Sequence, residues 1–329
     1  MEDRSAMKTS AKVEWLKVSY QKFLPFVSLV VISIALKFFS PHFFTWQNIS
    51  SIIRQHAQII LMAIGMTFIV ASGGIDLSVG SMMALAGICG TLLMTVKVPL
   101  VLAVMAGCVA GLVCGLLNGL LISRLKISPF IATLGTMQAF RGLALEITKG
   151  LPVVEGIPPS FGNLRNGNLF GAIPVPMVLI VVIAILASLT LRYTRLGRYS
   201  YAIGSNVEAA HHSGIRVGTY LLLIYAVGGF LTGLAGMIEF SSLVSGQPTA
   251  GGGYELRVIA AVVIGGGSLM GGEGTVMGTI IGALLMALLL NGCTLLHISD
   301  FIQQIVMGAL IVIAVTFDQM RRRKMEGGS

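Results

Sequence analysis

"VLAVMAGCVAGLVCGLLNGLLIS", residues 101–123, holds no charged side chain and a single amide, Asn118. A bilayer core about 30 Å thick takes about 20 helical residues, so the run reads as a membrane-spanning helix. Gly107, Gly111, Gly115 and Gly119 recur at every fourth position within it. That spacing leaves one helix face without side chains, where another backbone can approach closely.

The rest of the chain repeats the apolar theme. Of its 329 residues 55% are hydrophobic and only 11% charged, 41 are glycine, and the mean hydropathy is +0.89. An average soluble protein has about 25% charged residues. The composition therefore excludes an ordinary soluble domain and predicts an all-α polytopic membrane protein. Ten spans are expected, near 24–40, 56–72, 77–96, 98–123, 128–148, 174–192, 219–244, 255–267, 274–292 and 301–318. Residues 1–23 and 319–329 read as tails around a 24–318 transmembrane domain. The 255–267 span is short for a bilayer and is expected to be tilted, broken or begun earlier.

The net charge of +9 would suggest nucleic acid as a partner in a soluble protein. Here the basic residues sit at the ends of apolar runs, so no nucleic-acid partner is expected and the positive-inside rule applies. With ten spans both termini share a side. That side holds fifteen of the 22 Lys and Arg: five in the N-terminal tail, two at 124–126, four in 192–218 and four in the C-terminal tail. Both termini are thus expected in the cytoplasm. Trp15 and Trp46 would anchor opposite ends of the first span. No small-residue cleavage site follows the first apolar run, so no removable signal is expected. Membrane lipid is the expected surrounding.

Several chemistries are not supported. Cys89, Cys108, Cys114 and Cys293 lie in apolar runs without a CxxC pair and read as small core residues. His42, His56, His211, His212 and His297 lack metal-site spacing, so no metal is expected. "IGGGSLMGGEG", 264–274, looks like a phosphate cradle, but it has no Gly-Lys-Ser/Thr ending and no strand before it. No nucleophile and base stand together, so the chain is not read as an enzyme.

Charged and polar groups within the spans are the candidates for function. Asp76 sits in "SGGIDLSVGS", 72–81, between long apolar runs. Three roles are open to it. It could cap the third span at the amides of Leu77, Ser78 or Val79, with Ser78 sharing the task. It could contact substrate at a gate, or carry a proton. Glu239 is either an interfacial carboxylate or a pathway residue. Arg141 and Glu146 are five apart, a spacing that keeps them off one helix face. Asn118, Gln138 and Gln303 suit helix-to-helix hydrogen bonds, with Gln138 also a pathway candidate. Gly274, Gly278 and Gly282 repeat the glycine spacing near the ninth span. A Gly-rich turn precedes both the third and the ninth span, a weak internal duplication of the kind transporters show.

The polar segment 192–218, "RYTRLGRYSYAIGSNVEAAHHSGIRVG", is expected in the cytoplasm. Ser205 or Asn206 should cap a short helix that has Glu208 in its first turn and Gly214 at its end. Such a helix on a membrane face is a docking element.

The "EAA" of Glu208, Ala209 and Ala210, with Gly214 and Ile215 beyond, resembles the coupling motif of ABC importer permeases. "GGIDLSVGS" (73–81), "FIATLGTM" (130–137), "TRLGRYSYAIG" (194–204), the long 245–283 stretch and "NG" (291–292) are similar to the ribose-type sugar permeases. The similarity runs from about residue 40 to 318. The hydrophobic-x-Leu-Pro ending of longer coupling motifs is absent. The resemblance implies a permease subunit in the bacterial inner membrane that moves a monosaccharide inward. It implies a second copy or a paralogous permease, a cytoplasmic ATPase that binds ATP and Mg, and a periplasmic sugar-binding protein. No cofactor is then expected in this chain. Asn206, Glu208, Ala209, Ala210, Gly214 and Ile215 would form the contact to the ATPase. A proton-coupled carrier using Asp76 or Glu239 is the competing expectation.

Overall fold

The computed structural model describes residues 26–38 and 43–326. The expected N-terminal tail with Trp15, and the last three residues, lie outside the described residues. The described chain is almost entirely helical: α1 (Phe26–Phe38), α2 (Trp46–Ala71), α3 (Val79–Thr95), α4 (Leu100–Ser123), α5 (Pro129–Thr148), α6 (Asn163–Asn166), α7 (Val175–Tyr193), α8 (Arg195–Ser205), α9 (Val207–His212), α10 (Val217–Ser241), α11 (Tyr254–Ile264), α12 (Val276–Leu295) and α13 (Asp300–Glu326). A two-residue hairpin, β1 (Asn168–Leu169) with β2 (Ile173–Pro174), follows α6. Five helices, α2, α4, α7, α10 and α12, are long and apolar enough to cross a membrane. The chain is a multi-pass membrane protein.

The connections between helices gather at two ends. One end, called here the α8 end, collects the 72–78 turn, α8, α9 and the 265–275 loop. There a Cβ on Gly73 would lie 3.6 Å from Gly204 Cα and 3.8 Å from Met270 O. The other, the α6 end, collects Trp46, α6 and the hairpin, where the Trp46 indole donates to Ala172 O at 3.2 Å.

Two helices form the centre. From Ala57 to Ala71, α2 is buried on every side, and α10 is buried over most of its length. They cross where Gly65 meets Gly228, whose Cα lies 3.1 Å from the place of a Gly65 Cβ. The glycines of the 101–123 run supply the second close contact. A Cβ on Gly111 would come 2.4 Å from Gly229 O, and one on Gly115 would come 2.2 Å from Tyr225 O. Gly119 faces Leu222 and Gly107 faces Met237. The α4 and α10 backbones therefore touch, and each close contact gains dispersion that a side chain would forbid. In α12, Gly278 and Gly282 lie against Gly265 and Ala261 in the same way. Gly274 does not belong to that face: α12 begins at Val276, and Gly274 is loop with φ 144°.

Three expected boundaries differ. Helix α2 begins at Trp46, ten residues before the expected 56. Its polar first turns look like loop, but Thr45 Oγ1 caps them at Asn48 N (3.3 Å) and partner elements satisfy them. Asn48 and Asn291 exchange two amide hydrogen bonds at 3.0 and 2.9 Å. The 192–218 segment forms two helices instead of one, because α8 precedes α9. Helix α13 runs to Glu326, into the expected 319–329 tail, whereas α11 is short as expected, with 11 residues and an irregular connector leading into it from α10.

Candidate functional site

The α8 end is built by glycine. Helix α8 is capped by Thr194, whose hydroxyl accepts from Gly197 N at 3.4 Å. It ends at Gly204 and Ser205, pressed into the two Gly-rich turns. A Cβ on Gly204 would lie 2.0 Å from Ala71 O and 2.6 Å from Gly272 N. Gly272 N in turn donates to Ala71 O at 3.0 Å. Tyr201 Oη donates to Gly274 O at 2.6 Å, and burial pushes that hydroxyl above its usual pKa, which keeps its proton in place. One short helix thus touches the α2–α3 turn and the α11–α12 loop together.

Helix α9 follows at once. Asn206 Oδ1 caps it by accepting from Ala209 N at 2.9 Å, while Ser205 bonds back to Tyr201 O in α8. At the other end Ile215 N donates to Ala210 O (3.1 Å) and Gly214 N to His211 O (3.0 Å), the paired bonds of a Schellman cap. Gly214 carries the φ of 81° that this cap needs, and a Cβ there would meet nothing within 4 Å. Glu208 and Ala209 are exposed, whereas Ala210 turns inward at 4% exposure. Ala210 packs within its own chain.

Asp76 lies just behind this junction, 1% exposed. Its Oδ1 accepts from Ser78 N (2.8 Å) and Ser78 Oγ (2.6 Å), and its Oδ2 from Asn118 Nδ2 (3.2 Å). Asn118 also donates to Ser78 Oγ at 2.8 Å, so the 72–78 turn is tied to α4. Tyr225 Oη of α10 donates to the neighbouring Ile75 O at 3.2 Å. Asp76 thus takes the expected bond from the Ser78 amide at the start of α3, while Ser78, at the N-cap position, makes no side-chain cap bond of its own. A charged carboxylate is far cheaper to bury when hydrogen bonds replace its water.

At the α6 end Glu239 is paired. Arg165 NH1 reaches its Oε2 at 2.8 Å, and Tyr254 Oη donates to its Oε1 at 3.2 Å. Arg54 of α2 donates to Arg165 O (2.8 Å) and Asn168 Oδ1 (2.6 Å). The pair joins α6, α10 and α11.

Gln138 is exposed on α5. Arg141 and Glu146 do not meet: Arg141 donates to Pro248 O and Ala250 O, and Glu146 pairs with Lys149. Gln303 Nε2 donates to Ile298 O at 3.0 Å.

Sequence reasoning missed Tyr201, Gly204 and the Arg141 clamp. The lone arginine inside an otherwise uncharged 130–145 run was the signal for the last. Nothing in the spacing announced the first two.

The family model described as branched-chain amino acid transport system / permease component matches residues 48–315. The ribose import permease of Bacillus subtilis is 45% identical over 302 residues, 92% of this chain and 94% of that one. The L-arabinose transport system permease of Escherichia coli K12 is 40% identical over 298 residues, 90% of each chain. The D-allose transport system permease of the same strain is 35% identical over 303 residues, 92% of each. No solved structure matches. This helical bundle, matched by the family model over residues 48–315, belongs to the family described as branched-chain amino acid transport system / permease component.

Proposed function

We propose that the chain is the permease subunit of an ABC importer that carries a monosaccharide across the bacterial inner membrane. The observation that carries this reading is the 45% identity to a ribose import permease along nearly the whole chain. The arabinose and allose relatives keep the sugar class and widen the choice within it. Ribose is the first candidate.

The chain crosses the membrane ten times, through α1–α5, α7 and α10–α13, with both termini in the cytoplasm. The basic residues at 192–218 support this orientation. The α8 end then faces the cytoplasm. Asn206, Glu208, Ala209, Gly214 and Ile215 present α9 to an ATPase that binds ATP and Mg. Ala210 holds α9 to its own chain, and α8 passes the movement to the Asp76 turn and the 265–275 loop. Two permease copies form the pathway, and a periplasmic binding protein delivers sugar to the α6 end.

Proteoliposomes with the permease, its ATPase and the binding protein test the assignment. D-ribose, D-allose or L-arabinose should accumulate only when ATP is enclosed, with no proton gradient applied. Uptake driven by a proton gradient alone would refute an ATP-driven importer. Reporter fusions at residues 160 and 205 check orientation: an external signal at 205 or an internal one at 160 would reverse it.

A further inference from the structure

Helix α5 has 20 residues, yet it is not among the five helices apolar enough to cross a membrane alone. Gln138 is its tenth residue and is exposed; Arg141 follows three positions later on the same face, half-exposed. At about 1.5 Å per residue, Gln138 lies about 14 Å from either helix end. An arginine or an amide held at that depth does not face hydrocarbon; it faces protein or water.

The neighbouring backbone says the same. The connector between α10 and α11 is irregular, with left-handed residues at Val244 (51°), Gly251 (77°) and Gly253 (78°). Non-helical backbone at membrane depth persists only where protein or water satisfies it. Arg141 satisfies part of it, donating NH1 to Pro248 O and NH2 to Ala250 O, the latter at 2.7 Å. Gly251 wedges against the first turn of α3, where a Cβ on Gly80 would come 2.1 Å from Gly251 O. The Glu255 carboxylate lies over the same glycine, 3.0 Å from the place of that Cβ. Thr249, Gly252 and Gly253 are exposed beside it, and Glu255 is half-exposed.

We infer that Gln138, Arg141, Thr249 and Glu255 form a polar site half-way along the translocation pathway, built for a neutral polyhydroxylated solute. This deepens the importer reading and rests on it. The four side chains offer donors and acceptors together, as a sugar hydroxyl requires. Their charges cancel, so the site selects neither anions nor cations. Arg141 has a second task as a positioning residue, since its fork to two carbonyls fixes the connector that carries Thr249 and leads into Glu255.

The test uses a variant lacking Cys89, Cys108, Cys114 and Cys293, into which Gln138→Cys and Thr249→Cys are placed singly. In membranes both should react with a small hydrophilic thiosulfonate. In proteoliposomes with ATPase and binding protein, Gln138→Leu should lower the maximal rate of sugar uptake about tenfold, leaving thermal stability unchanged. Wild-type protein that carries none of D-ribose, D-allose or L-arabinose would defeat the importer reading itself. With wild-type uptake intact, full-rate uptake by Gln138→Leu overturns the site. So does failure of the thiosulfonate to reach either cysteine, including the case where position 138 is shielded in a seam and cross-links between two copies.

Discussion

The α4–α10 seam and the α8–α9 segment both depend on glycine, for opposite reasons. In the seam glycine is needed for space: Gly111 and Gly115 stand where a Cβ would overlap the Gly229 and Tyr225 carbonyl oxygens. At Gly214 there is open space all round, and glycine is needed for its φ of 81°. The seam is backbone against backbone over four turns, an arrangement with no graded alternative. Helix α9 is held by one side-chain cap and one Schellman cap, each contributing about 1 kcal/mol. A rigid pillar and a marginal lever are what a machine needs if a partner on one face is to move helices on another.

The largest effect expected from this contrast lies in the pillar. Gly111→Leu or Gly115→Leu should abolish the stable fold, because the new Cβ alone meets a neighbouring carbonyl at 2.4 or 2.2 Å. Overpacking of a tight core costs about 1–3 kcal/mol, and more where only backbone can yield. Yield and melting temperature in detergent report it. Gly135→Leu on α5, where nothing lies within 4 Å of the Cβ position, serves as the control and should melt like wild type. Equal melting for all three would mean that the α4 face does not meet α10.

Gly204→Val should come next, and it separates the two regions. Its side chain would force α8 away from Ala71 and Gly272, contacts outside the spanning core. The protein should still insert, while sugar-stimulated ATP hydrolysis falls about tenfold or more as the link between α9 and the two turns is lost. A collapse in yield equal to that of Gly115→Leu would place α8 in the pillar instead.

How much of this was legible depended on the range of the interaction. The glycines of 107–119 were readable because a fourfold spacing puts them on one face without knowing the partner. The Asn206 cap and the Gly214 turn were readable because both are satisfied within a few residues. The start of α2 was not, since its Asn48 and Arg54 are paired by Asn291 and by Arg165 O, more than a hundred residues away. Asp76 was half readable. Its bond to Ser78 is local, but its burial depends on Asn118, 42 residues on. Glu239 looked solitary for the same reason: its partner Arg165 lies 74 residues earlier, in the four-residue helix α6, which is too short to carry an apolar period.

Within the lever, Gly214→Val should act more mildly than Gly204→Val. A β-branched residue at φ near 80° costs about 1–2 kcal/mol, with no steric clash to add to it. Insertion and melting should be unchanged, and ATPase stimulation and uptake should fall together. Unchanged stimulation in vesicles with saturating binding protein and sugar would remove α9 from the coupling path.

The smallest effect expected is that of Asn206→Ala, and it is the finest probe of how marginal α9 is. The alanine loses the side-chain bond to Ala209 N and leaves the Schellman end intact. An N-cap loss of about 1 kcal/mol should speed hydrogen exchange of the α9 amides about fivefold. The helices of the seam should exchange as before. Asn206→Asp keeps the accepting oxygen and favours the helix N-terminus electrostatically, so it should restore protection. If exchange is faster in the alanine variant and recovers in the aspartate, the cap alone sets the stability of α9. Stimulation of ATP hydrolysis should then follow the same order, with the alanine variant above Gly214→Val. If the alanine variant loses as much activity as Gly204→Val, α9 has no stability of its own, and the ATPase must fold it on contact instead of pushing on a formed helix.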